Sequence, residues 1–427
     1  MHRALFGERE GSASVRVVAT VNLLLVHRYF WPDTPAYAAM LRHLGESWVQ
    51  HGHVVSVFST QPSYKREVVM TPRPRLENLA GMTITRTPLP FRGDWSPPRR
   101  LINTALFLLQ LLIHMARHRD VDVVVMSTVP QIVGARVASL AAGLLGKRFV
   151  YHMQDIHPEG MRAAGFVREG MAYRVLRRLD TATCRSAAAV VVLSADMRRT
   201  ILARDSSLAR KVHVIRNPAV RGFEDADTDV PAALRKATGR FRAVFAGNIG
   251  RFQGLETVVE AATGLRDEGI EVALVGDGAA KSALMAKAEA SGSSAMRFLP
   301  HQNVSVADSL IAEADVALIT LAPGVAFTAF PSKLINYTRS ATALLVSVEP
   351  DTELAALVRE HDMGVVVPVG DADGMRTALR VLAADPQRVA ALGRNARSFH
   401  ERTFDAERIH RDWVKVLGDS SSASAGA

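Results

Sequence analysis

The stretch Phe245-Ala-Gly-Asn-Ile-Gly-Arg-Phe-Gln-Gly-Leu-Glu256 constrains this chain more than any other. Apolar Ala243, Val244 and Phe245 end a buried strand, Gly247, Gly250 and Gly254 loosen a turn, and a helical pattern starts near Leu255. Strand, glycine-rich turn and helix in that order form the repeating unit of a doubly wound α/β sheet. Such a turn presents backbone N–H groups to phosphate. Arg251 adds a full positive charge where the phosphates would lie. Glycines alone suit equally a turn chosen for tight packing. The place of this turn in the chain, and the residues downstream, favour a diphosphate-bearing ligand.

The surrounding pattern says how many such sheets to expect. Near-continuous apolar runs at 17–26, 54–59, 121–127, 149–153 and 189–193 read as strands covered on both faces, with helical stretches at 35–51, 101–118, 132–145 and 171–185 between them. Asn217-Pro218 stops this pattern ahead of an acidic linker at 224–231. It then restarts with strands at 242–246, 272–275, 296–299, 316–320 and 344–347. A chain of 427 residues exceeds one ordinary core. The prediction is an N-terminal Rossmann-like domain over 16–218, a C-terminal one over 219–399, and a terminal helix over 400–418 packing back on the first. A disordered tail follows at 419–427. Two such domains place a ligand cleft between the carboxyl ends of their sheets.

Charge is distributed unevenly between the halves. The first 216 residues carry about twice as many Lys and Arg as Asp and Glu, whereas the remainder is net acidic. Arg162, Arg168, Arg174, Arg177, Arg178 and Arg185 form one basic group, and Arg92, Arg99 and Arg100 lead into an apolar helix. Basic residues beside an apolar helix suit an anionic membrane surface better than nucleic acid, for which no motif is present. The longest apolar helices are interrupted by Asn103, Gln110 and Arg136, too early to span a bilayer. The first 15 residues lack the apolar core of a leader. A single cysteine, Cys184, excludes a disulfide framework. The expectation is a cytoplasmic protein, peripheral at the inner face of the membrane.

Three anion-binding elements recur in the second half. They are Gly247 to Gly254 with Asn248, Gly250, Arg251 and Gln253; Gly276-Asp277-Gly278 after a strand; and Pro331-Ser332-Lys333, with the lysine opening a helix. On the other side of the cleft, Asp155-Ile-His-Pro-Glu159 ends a strand and holds the densest titratable cluster. Asp155 is the first choice for receiving or orienting a hydroxyl proton, with Glu159 and His157 in reserve. The alternative is that Asp155 caps the following helix, with Glu159 in its first turn. His27, at the end of the first strand, is either a site residue or a satisfied structural histidine. Asp277 either orients a ligand or shapes its own turn.

Together these motifs resemble the retaining, family-4-like glycosyltransferases of GT-B fold, and among them the subgroup that builds O-antigen, capsular and colanic-acid-type polysaccharides. The likeness also includes His27-Arg-Tyr-Phe-Trp-Pro32, Gly52-His53-Val54, residues 123–130, Pro300 and Asp315. It implies a nucleoside-diphosphate sugar in the C-terminal domain, held by Gly247, Asn248, Gly250, Gln253, Gly276, Asp277, Gly278, Ser332 and Asn336. It also implies a lipid-linked glycan acceptor on the N-terminal side near His27, His157 and Glu159. Arg251 and Lys333 would meet the leaving diphosphate, with no cofactor and no obligatory metal. Three departures stand out: Gln253 lies near the place where many relatives carry a Lys, Asn336 stands where a ribose-binding Glu is usual, and residues 339–343 replace the family's usual run. Those departures keep open a non-catalytic nucleotide-sugar-binding scaffold, beside an epimerase of the same fold.

Overall fold

A computed structural model describes residues 20–33, 36–63, 71–91, 96–130, 132–219 and 230–418. The expected tail at 419–427, most of the acidic linker, residues 17–19 and Arg92 lie outside the described residues. The first half forms one sheet from β1 (Asn22–Val26), β2 (Val54–Thr60), β3 (Leu76–Leu79), β4 (Met82–Thr87), β5 (Val123–Ser127), β6 (Arg148–His152), β7 (Ala189–Val192) and β8 (Val212–Val214). Their order is β3-β4-β2-β1-β5-β6-β7-β8, and all pairs are parallel except β3 with β4. The second sheet comprises β9 (Phe241–Ala246), β10 (Ile270–Val275), β11 (Met296–Leu299), β12 (Val316–Thr320), β13 (Ala343–Ser347) and β14 (Gly364–Val367). It is wholly parallel, in the order β11-β10-β9-β12-β13-β14.

Alternate residues of each central strand enter separate cores, as the period of two requires. Leu24 and Val26 of β1 pack with helices Pro97–Arg117 and Val133–Leu144, whereas Leu23 and Leu25 pack with Trp48 on the opposite face. Val244 and Phe245 of β9 divide in the same way. Covering both faces is what made these strands legible as continuous apolar runs. The first strand is shorter than the apolar run at its start, because Val21 already lies outside the ladder. The polar hairpin β3–β4, at the sheet edge, was not anticipated. The terminal helix Ala406–Gly418 places Ile409, Trp413, Val416 and Leu417 in the first-half core, where the rings of Trp48 and Trp413 meet edge to face 5.3 Å apart.

Strand order fixes where a ligand can sit. The N-terminal sheet reverses direction beside β1, between β2 and β5; the C-terminal sheet does so beside β9, between β10 and β12. Crevices open at the carboxyl ends of strands flanking such reversals. His27 directly follows β1 and Gly247 directly follows β9.

Candidate active site

The glycine turns of the second half are built from backbone that excludes side chains. Gly276 has φ +146°, and a Cβ there would lie 1.9 Å from the carbonyl oxygen of Gly247. At Gly278, φ is +157° and a Cβ would lie 2.3 Å from the Ile249 oxygen. The two turns are laced together: Gly247 N–H donates to Val275 O at 2.9 Å and Ile249 N–H to Asp277 O at 2.9 Å. Asp277 is exposed, and its carboxylate accepts the N–H of Gly278 at 2.8 Å, which is the turn-shaping role. Gly247 and Asn248 are exposed at the surface of this double turn. The turn continues through a single 3₁₀ turn, Arg251–Gln253, into a six-residue helix, Glu256–Ala261. The cradle is therefore turn amides and side chains, with no long helix behind it.

Lys333, the first residue of helix Lys333–Arg339, is brought against this turn. Its ammonium donates to Gln253 Oε1 at 3.0 Å and lies 4.5 Å from the centre of the Phe245 ring. Burial lowers its pKa to about 8. One helical turn on, the Tyr337 hydroxyl accepts the N–H of Ala246 at 2.9 Å and ties the helix to the end of β9. Asn336 lies on this helix between the two, and Ser332 is exposed just before it. Arg251 is exposed, and its guanidinium lies 5.9 Å from the ring centre of Phe166 in the other half. Phe166 also packs on Phe252 at 6.0 Å. Two neighbouring charged residues have partners of their own. Lys281 donates to Gly276 O at 2.8 Å, and Asp315 accepts from Lys236 at 2.9 Å.

On the opposing wall Asp155 stands outside the ion pairs that hold the other carboxylates. That residue forms an antiparallel bridge with Ala329, four residues before Lys333, and Ile156 N–H donates to Thr328 O at 2.8 Å. Asp155 does not cap a helix: Glu159–Ala163 begins after Pro158 with no side-chain cap. Asp155 is exposed as a residue, and desolvation of its carboxyl by the surrounding protein raises its pKa to about 6. Glu159 is ion-paired with Arg204, whose guanidinium also binds Asp180 at 2.5 Å and the carbonyl of His157 at 2.7 Å. His157 is buried with Nδ1 unpartnered, and burial lowers its pKa to about 4. His27 is buried too, held near 4 by burial, with Nδ1 2.6 Å from Tyr29 O.

Sequence reasoning missed a polar chain behind His27. Asn217 Nδ2 donates to Gln154 Oε1 at 2.7 Å, Gln154 Nε2 lies 2.8 Å from His152 Nε2, and His152 Nδ1 lies 3.1 Å from the Tyr37 hydroxyl. With the amide donating, His152 carries its proton on Nδ1. Tyr37 in turn meets His27 edge to face at 4.7 Å. A further cavity of about 430 Å³ lies between the halves beside this wall, lined by Arg162, Thr200, Gly324, Phe327 and Thr328 among others. Reciprocal bonds hold the halves together next to it. Ala195 N–H donates to Glu353 Oε2 at 2.5 Å and Glu353 N–H to Asp196 Oδ2 at 2.7 Å. Among the described residues no cluster of His, Cys, Asp and Glu forms a metal site, and no helix is long and apolar enough to cross a membrane.

Each half of the chain matches a known family. Residues 36–218 match the glycosyl transferase 4-like domain and residues 227–399 match the glycosyl transferases group 1. The chain belongs to the family-4-like glycosyltransferases of GT-B fold. This glycosyltransferase is 28% identical over 401 residues to WcaI of Escherichia coli (strain K12), described as a colanic acid biosynthesis glycosyl transferase, covering 90% of this chain and 97% of that one. Among solved structures, sucrose-phosphate synthase from Thermosynechococcus elongatus superposes with a TM-score of 0.74 at 16% identity, covering 95% of this chain and all of that one. HepE of Anabaena, solved in complex with UDP, gives 0.65 at 13% identity, covering 93% and 100%. At such identities the likeness to solved structures speaks for the fold alone.

Proposed function

We propose that the protein moves a sugar from a nucleoside-diphosphate sugar to a hydroxyl of a lipid-linked glycan, with retention of configuration, in cell-surface polysaccharide biosynthesis. The observation that carries this reading is the Lys333 ammonium at the glycine turn, charged, half-buried and matched by no carboxylate among the described residues. The UDP held by HepE and the colanic-acid role given to WcaI support it. As the bond between the anomeric carbon and the diphosphate oxygen breaks, negative charge grows on the departing oxygen. A fixed cation there stabilises the transition state more than the ground state. Lys333, with Arg251 swinging off Phe166, would meet that charge. Asp155 on the facing wall would take or orient the proton of the attacking hydroxyl.

A membrane-borne acceptor accords with one face of the first half. Helices Pro97–Arg117, Val133–Leu144 and Met171–Ser186 cover one side of the sheet. Their outer surfaces expose Leu101, Leu109, Leu140, Leu144, Met171 and Val175 beside Arg99, Arg100, Arg174 and Arg178. Apolar and basic side chains together suit an anionic bilayer surface.

The test is thermal stabilisation by UDP-, GDP-, dTDP- and ADP-sugars, on wild type and Arg251→Ala. A donor at 100 times its Kd stabilises by about 2.7 kcal/mol. One base class that shifts the wild type and not the variant is the expected result. Absence of a shift with every donor, with and without a polyprenyl-diphosphate acceptor, would overturn the reading.

A further inference from the structure

Lys333 has one hydrogen-bonding partner among the described residues, and that partner is neutral. Gln253 Oε1 accepts its proton at 3.0 Å while the Phe245 ring lies 4.5 Å below the ammonium. Gly247 leaves room for the lysine stem, since a Cβ there would lie 3.3 Å from Lys333 Cε. Gln253 is itself held from two sides. Its N–H donates to Gly250 O at 3.1 Å, and its carbonyl accepts the Thr320 hydroxyl at 2.5 Å from the end of β12. The neighbouring Phe252 carbonyl accepts the N–H of Ala322 at 3.0 Å. The arm that reaches Lys333 thus starts from a backbone fixed at the reversal point of the sheet.

We propose that Gln253 is a positioning residue for the diphosphate site, its amide oxygen holding the Lys333 ammonium over Phe245 at the glycine turn, oriented but uncompensated. This inference rests on the donor-site reading above. A carboxylate at this place would neutralise the lysine and repel a diphosphate; a second cation would push the lysine away. A neutral acceptor does neither. An ammonium donates and never accepts, so the lysine also dictates which end of the amide faces it. The cost of this arrangement is a loosely held proton. Arg251 on the same turn, Asp277 on the second turn, Tyr337 on the lysine's own helix and Asp155 across the cleft add nothing resolved to the downward shift, which burial alone produces.

The chain has eight lysines, so a 13Cε-lysine NMR titration can follow Lys333 in the free protein, its signal assigned by Lys333→Arg. In wild type the midpoint is expected near pH 8. Gln253→Glu should raise it by about one unit or more, since a carboxylate in hydrogen-bond reach favours the charged form. Gln253→Met keeps the length and removes the acceptor. It should lower the midpoint and weaken binding of UDP, GDP, dTDP or ADP about tenfold, with the matching nucleoside unaffected. A midpoint that ignores both substitutions, or a Gln253→Met protein that binds the diphosphate as wild type does, would overturn the proposal. Lys333→Ala separates the two layers. If it abolishes diphosphate binding while Gln253→Met does not, Gln253 alone loses its role. If Lys333→Ala also binds normally, the donor-site reading falls.

Discussion

The two walls of the cleft handle charge in opposite ways. On the C-terminal wall, two close-packed glycine turns meet a helix-borne lysine whose partner is a neutral amide, and the first turn carries an arginine 5.9 Å from the centre of an aromatic ring. On the N-terminal wall, the residues that look most reactive are ion-paired or kept neutral. Glu159 and Asp180 are bound to Arg204, and His27, His152 and His157 are kept neutral by burial. Only Asp155 is left as an acid–base group of that cluster, raised toward neutrality. A density of titratable residues in sequence is therefore no measure of available charge. On the proposed function, one wall receives an anion and the other holds a single proton.

Removing that proton site should have the largest effect. Asp155→Asn keeps the shape and should lower kcat by about 10²–10⁴-fold, the range for a general acid or base, with nucleotide affinity unchanged in calorimetry. Loss of donor affinity instead of turnover would move Asp155 out of the chemistry. Arg204→Met attacks the framework beneath the same wall. It leaves buried Asp180 without a cation and Glu159 with Arg177 alone, 3.7 Å away, and should cost about 3–5 kcal/mol in denaturant unfolding. The two variants sharpen the contrast, because only the second should lower stability. On the facing wall, Lys333→Ala should weaken nucleoside-diphosphate binding about 10²-fold, as expected for a desolvated charge that meets its counter-charge directly.

How much of this was legible in the chain depends on range. The parallel strands could be read because both faces are buried, and the glycine turns because positive φ restricts the residue type. Lys333 could be read because it opens a helix in the run Pro331-Ser332-Lys333. The β3–β4 hairpin could not: Leu76–Leu79 alternates exposed and half-buried residues at an edge, with too little apolar signal. Phe166 is a lone aromatic on a connecting segment, and nothing local says that it meets Arg251 and Phe252 across the cleft. The His152 chain draws partners from residues 37, 154 and 217, and the Glu159 pairing draws Arg204 from a helix 45 residues on. Spacing reveals partners on one element. It does not reveal those that the strand order brings together.

The raised acid and the lowered cation predict a bell-shaped pH profile of kcat/KM. Activity should rise through about pH 6 as Asp155 loses its proton and fall through about pH 8 as Lys333 loses its own. Asp155→Asn should erase the acidic limb and Lys333→Arg the alkaline one. Stability follows with its own signs. The folded chain keeps the Asp155 proton longer than the unfolded chain, so stability should decline between 3.8 and about 6. It sheds the Lys333 proton earlier, so stability should increase again between about 8 and 10.5.

The smallest effect is expected at Asp277, the one carboxylate carried by the glycine turns themselves. Its side chain is exposed and bonded to the next N–H, and the bond that joins the two turns uses its carbonyl. Asp277→Ala removes the first and leaves the second, so stability should change by less than about 0.5 kcal/mol, the usual range for a surface position. Diphosphate affinity should hold or rise slightly, since a negative charge near the cradle is gone. A tenfold loss in kcat at unchanged affinity would mean that this carboxylate touches the sugar. The C-terminal wall would then hold a proton site of its own, and the division between the two walls would fail.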